Sequence, residues 1–119
     1  MKTMKLRTLQ QPSRLEALLE SLIKSQNWVP ADAPRVTDRS ELPSVLQKLA
    51  AKTVKAGGAW WAWSSYEGIR FFVAEMSLEL SRERGAPALK VRYYNDQGKL
   101  QQYSHWVQLA DGTWQRCSF

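Results

Sequence analysis

The sequence predicts an α+β fold in which two N-terminal helices pack on one face of a five-stranded antiparallel meander, in the order α-α-β-β-β-β-β. Three observations predict it. Two apolar stripes at helical spacing precede Gly58, turn signals recur at strand spacing from Ala59 onward, and the hairpin registers those turns suggest agree on one apolar sheet face. A chain of 119 residues, 44% hydrophobic and 24% charged, has the make-up of one globular domain with one core. Residues 1–11 read as a mobile basic arm and residues 12–119 as the domain.

The first helix is expected over residues 13–27, where Leu15, Leu18, Leu19, Leu22 and Ile23 form a one-sided stripe. Ser13 and Glu16 after Pro12 make a capping box for its first turn. Two prolines, Pro30 and Pro34, make residues 28–34 a connector. Leu42, Val45, Leu46, Leu49, Ala50 and Val54 form the second stripe, with Asp38 or Ser40 as cap, Pro43 in the first turn and Gly57-Gly58 as the stop.

For the strands, a two-residue turn at Glu67-Gly68 sets Trp63 opposite Phe72 and Trp61 opposite Ala74. A four-residue turn over 82–85 sets Leu78 opposite Leu89 and Glu75 opposite Arg92. A three-residue loop at Asp96-Gln97-Gly98, with Gly98 in the left-handed region, sets Val91 opposite Tyr103 and Leu89 opposite His105. A type I′ turn at Asp111-Gly112 sets Leu109 opposite Trp114. The shared inner face then holds Trp61, Trp63, Phe72, Met76, Leu78, Leu80, Leu89, Val91, Tyr93, Tyr103, Val107, Leu109 and Trp114.

These registers also define the outer face. One half is polar, with Glu75, Lys90, Arg92 and Ser104 among its members. The other half carries Trp60, Ala62, Ile69, Phe71, Val73, Tyr94 and Leu100, too apolar to face water unaided. Three explanations compete for this patch: cover by the chain's own connector over 28–34 or its tail, docking of a partner or a second copy, and base stacking on Trp60, Phe71 and Tyr94. The leading functional expectation is a small non-catalytic module that binds a partner protein or a second copy of itself, as a homo-oligomer. Trp60, Phe71, Val73, Tyr94 and Leu100 would supply the contact, and a Glu75–Arg92 ion pair its rim.

Charge supports a second reading. The chain has net charge +6, and the excess is N-terminal: ten Lys/Arg against five Asp/Glu through Gly58, then seven against six. Lys48, Lys52 and Lys55 share one side of the second helix, and Lys2, Lys5 and Arg7 lie in the arm, so a basic accessory protein could hold nucleic-acid phosphates with both. A third reading is a curved sheet enclosing a ligand pocket lined by Tyr93, Gln101, Tyr103 and His105. It is similar in architecture to the NTF2-like group, without a residue match.

Catalytic chemistry finds little footing. His105 is the sole histidine, expected inside the core, while Ser104 and Cys117 are expected on the opposite side, so neither pairs with it as a nucleophile. Glu75 and Glu79, four residues apart on one strand, would stand roughly 13 Å from each other, too far for paired carboxylates. No P-loop, GxSxG or HExxH pattern occurs. The single cysteine, Cys117, rules out an internal disulfide. The expectation is a cytoplasmic protein that is not an enzyme, takes no cofactor or metal and does not engage a membrane; no apolar run reaches the roughly 18 residues of a span.

Overall fold

A computed structural model describes residues 14–118. The arm expected over 1–11, and Ser13 of the expected capping box, lie outside the described residues. The chain runs α1 (Arg14–Ser25), β1 (Arg35–Val36), a 3-10 turn (Arg39–Glu41), α2 (Ser44–Lys55), β2 (Ala59–Ser65), β3 (Gly68–Met76), α3 (Leu78–Arg84), β4 (Ala88–Tyr94), β5 (Leu100–Gln108) and β6 (Trp114–Cys117). The strands form one antiparallel sheet in sequence order. The fold is α+β as expected, with six strands among the described residues where five were predicted and three helices where two were.

The extra helix replaces the expected four-residue turn. Ser77 is its cap, its hydroxyl accepting from the Leu80 N–H at 3.4 Å, and Gly85 ends it at φ 63. Six of the seven residues between are strong helix formers (Leu, Glu, Arg), so a local signal for α3 was present. It takes Leu78 out of the sheet, leaving that side chain 65% exposed, and turns Leu80 onto Ala88, Val107 and Cys117 on the outer side. Neither leucine joins the inner face assigned to it, and Glu79 sits on a helix instead of a strand.

The larger departure is that α1 and α2 cover opposite faces. On the inner face Leu19, Leu22 and Ile23 of α1 pack with Trp61, Trp63, Phe72, Leu89, Val91, Trp106 and Trp114. Two indoles fasten the helix: Trp61 Nε1 donates to the Glu16 carbonyl at 2.9 Å and Trp114 Nε1 to Ser21 Oγ at 3.1 Å. On the outer face Leu46 and Ala50 of α2, with Leu42, cover Val36, Ala62, Phe71 and Val73. The two-residue strand β1 explains the crossing. Pairing Arg35 with Trp63 and Val36 with Ala62, it lies along the β2 edge, so the connector rounds the sheet there and delivers α2 to the far side. Both apolar layers are thereby removed from water, which is the larger gain available to two amphipathic helices.

Registers decide which side chains face which helix. The first hairpin turns at Tyr66-Glu67, with Gly68 at φ 117, and the β3–β4 pairing sets Phe72 opposite Tyr93; each is displaced by two residues from expectation, which preserves the faces. The β4–β5 loop forms as expected. Gly98 has φ 81, and Asn95 and Lys99 exchange their first bond at 3.0 Å. Beyond it a β-bulge intervenes: Tyr94 faces Leu100 but Tyr93 faces Gln102, leaving Gln101 as the extra residue. Every later position of β5 is flipped. Ser104 and Trp106 point inward, while Tyr103, His105 and Val107 point outward.

The last hairpin shifts by one as well. Asp111 Oδ1 accepts from Thr113 N at 3.0 Å and from Thr113 Oγ1 at 2.7 Å, and Leu109 N bonds Thr113 O at 2.8 Å, giving a three-residue loop with Gly112 at φ 89. The two slips cancel. Trp114 faces inward and Cys117 outward as expected, but Cys117 now stands directly across from His105 on the same face. Tyr103 and Leu109, assigned to the core, are exposed.

Candidate functional site

The expected docking patch is the seat of α2. Phe71 is 0% exposed and Val73 6%, each beneath the helix. Trp60 and Tyr94 are half-buried and packed against the same cluster, with Trp60 stacked on Phe71 at 5.9 Å and Tyr94 tilted against it at 6.2 Å. Leu100, half exposed, remains at the margin. The cover is the protein's own helix α2, and neither a partner, a second copy nor the 28–34 connector. The Glu75–Arg92 ion pair does form, at 3.0 Å, although the two residues sit diagonally and not directly opposite.

Past the flank of α2 the outer face stays open. A groove of about 310 Å³ runs between the helix and the sheet, with Leu49, Lys52 and Thr53 as its wall and Glu75, Arg92 and Tyr94 as its floor. Lys52 is thereby brought to the same groove as Arg92, forty residues away in sequence. Lys48 and Lys55, one turn to either side, are exposed on the same helix.

The strands extend this basic surface. Lys90 faces His105 and Arg92 faces Tyr103 across β4 and β5. The Arg92 guanidinium lies 4.5 Å over the Tyr103 ring, which is 42% exposed, and the Tyr103 hydroxyl is 3.4 Å from His105 Nε2. Burial, then the positive charges of Lys90 and Arg92, hold the His105 imidazole below its ordinary pKa. A positive field at this spot is what a phosphate or carboxylate would relieve. Without the bulge, Tyr103 and His105 would be in the core; no local signal in the sequence marks it, because residues 103–108 alternate equally well in either register.

The inner face has a cavity of its own, about 170 Å³, lined by Trp28, Arg70, Phe72, Tyr93, Gln102 and Ser104. Of the four residues expected to line a pocket, Tyr93 does so; the bulge leaves Gln101 unpaired and outside the lining, moves Tyr103 and His105 to the other face and brings Gln102 and Ser104 to the cavity. Ser104 Oγ accepts from Trp106 Nε1 at 2.8 Å, so this hydroxyl and the His105 ring lie on opposite faces of the sheet. Cys117 is buried with Leu80, Ala88 and Val107. Among the described residues no three His, Cys, Asp or Glu side chains converge on a metal-sized site, and no helix is long and apolar enough to cross a membrane.

No family model matches the chain, and neither a curated protein nor a solved structure is significantly similar to it.

Proposed function

We propose that this chain is a small binding module for single-stranded nucleic acid, and that the open outer face is its contact surface. The observation that carries the reading is the placement of α2: Lys52 and Arg92 line one groove, which joins the helix lysines Lys48, Lys52 and Lys55 to the strand cations Lys90 and Arg92. Several cations along one surface are what a phosphate backbone requires. Tyr103, half-exposed among them, offers a ring on which a base can stack, a contact that tolerates any sequence. Lys2, Lys5 and Arg7 would add to the same electrostatic attraction. Docking of a partner protein or a second copy through Phe71 and Val73 is no longer supported, because α2 already occupies those residues.

The test is fluorescence anisotropy of the full chain with a labelled single-stranded 20-mer across a salt series. Five cations engaging phosphates give a log-log salt slope of about −3.5. Changing Lys48, Lys52 and Lys55 together to Ala lowers it to about −1.5 and weakens binding more than tenfold. A Lys2/Lys5/Arg7→Ala variant measures the arm separately. Absent or salt-insensitive binding, or a helix triple variant that binds like the parent, removes the proposal.

A further inference from the structure

The inner-face cavity is a second site, independent of the basic groove and on the opposite side of the sheet. Its walls are rings. Trp28, carried on the connector after α1, stacks on Phe72 at 5.7 Å with planes 8° apart, and Phe72 in turn stacks on Tyr93 at 4.8 Å. Trp106 meets Trp28 edge-on at 5.3 Å and holds it in place. A space of about 170 Å³ is the size that accepts one small aromatic ring, since a dry protein cavity of about 150 Å³ takes benzene.

The polar groups on this cavity are few and directional. Arg70 lines it, held to the Trp28 carbonyl by Nη1 at 3.3 Å and to Glu67 only loosely, at 3.6 Å, by a carboxylate that is itself two-thirds exposed. Such a bridge is weak and exchanges readily for a better-placed anion. Ser104 is 6% exposed and uses its oxygen to accept from Trp106, which leaves its own proton to donate to the cavity it lines. The Gln102 amide completes the lining. A guanidinium and a hydroxyl donor beside stacked rings select for an aromatic ligand that carries an anionic acceptor.

We propose that the cavity between Trp28, Phe72 and Tyr93 binds a small planar aromatic carboxylate, its ring beside those side chains and its carboxylate paired with Arg70. Salicylate and indole-3-carboxylate are suitable probes, with their neutral amides as controls. Titrations of the ¹⁵N-labelled full chain followed by NMR are expected to shift the Trp28 indole N–H and the backbone amides of Arg70 and Tyr93 in a saturable way. The amides should bind at least about tenfold more weakly, and Arg70→Gln should remove most of that preference. Because Arg70 also braces the Trp28 carbonyl, intermolecular NOEs from the probe ring to Trp28 and Tyr93 in the unaltered protein provide a readout that needs no variant. No saturable shift by either probe at millimolar concentration, shifts confined to the Lys52 and Arg92 groove, or equal affinity for acid and amide would each overturn the assignment. Oligonucleotide binding is read separately, on the other face of the sheet, so either proposal can fail while the other stands.

Discussion

Replacing Phe71 with alanine separates a covered outer face from an exposed one. Phe71 is fully buried between α2 and the sheet and meets two other rings, Trp60 and Tyr94. Burying a side chain of this size contributes about 1.5–3 kcal/mol, and each ring pair adds about 0.5–1.5 kcal/mol. With partial relaxation of α2 into the space, the loss should be about 3–5 kcal/mol, the range for large aromatic truncations in cores. A domain of this length has a total stability of about 6–18 kcal/mol, so the variant remains folded in mild conditions but unfolds about 10–20 °C lower. Urea unfolding followed by far-UV circular dichroism should show the midpoint moved and the slope retained. Leu100→Ala, at a half-exposed position of the same patch, should change stability by less than about 0.5 kcal/mol. If Phe71→Ala unfolds like the parent while the solution mass falls from that of an oligomer to that of a monomer, α2 does not lie on Phe71 and the architecture described above is wrong.

Gly98→Ala should cost about 1–3 kcal/mol, because the residue has φ 81 and an added Cβ would stand 2.5 Å from Val45 Cγ2 on α2; a thermal melt near the parent's would show the loop is not seated on the helix. Glu75→Gln should lower stability by less than about 1 kcal/mol, since the Arg92 pair is part-exposed, and should strengthen oligonucleotide binding about 2–5-fold by freeing Arg92; weaker binding would contradict the groove. His105 is expected to titrate below 6.5 in the folded protein, so the unfolded chain binds the extra proton first and this residue's contribution to stability, complete above pH 6.5, declines as pH falls from there to the folded pKa. NMR titration reads the folded value directly, and a bound oligonucleotide should raise it by neutralising the field of Lys90 and Arg92; an unshifted titration would place the ligand elsewhere.

Much of the fold was legible because its causes are local. The stripe from Leu15 to Ile23 gives its helix one apolar face wherever it packs, the Gly57-Gly58 stop is a backbone property, and the three-residue loop ending at Gly98 forms as its residues require. The α3 segment was equally local, with Ser77 and Gly85 as its ends, but its leucines also fit a strand at period two, and helix and strand readings of so short a run compete. Of the site, the lysines of α2 and the Glu75–Arg92 pair were readable in advance. What they face was not. The bulge at Gln101 inverts the rest of β5, and either register of 103–107 buries one large apolar residue at the cost of another.

By itself the sequence determined where α1, α2 and most strands lie, that both sides of the early strands must leave water, and that positive charge concentrates on one helix. Only the tertiary structure decided which side each helix takes and which half of β5 looks outward. The reason is physical. Stripes and turns are set by neighbours a few residues apart, whereas the choice of face depends on β1 rounding the sheet edge and on one unpaired residue, whose energies come from contacts made far along the chain.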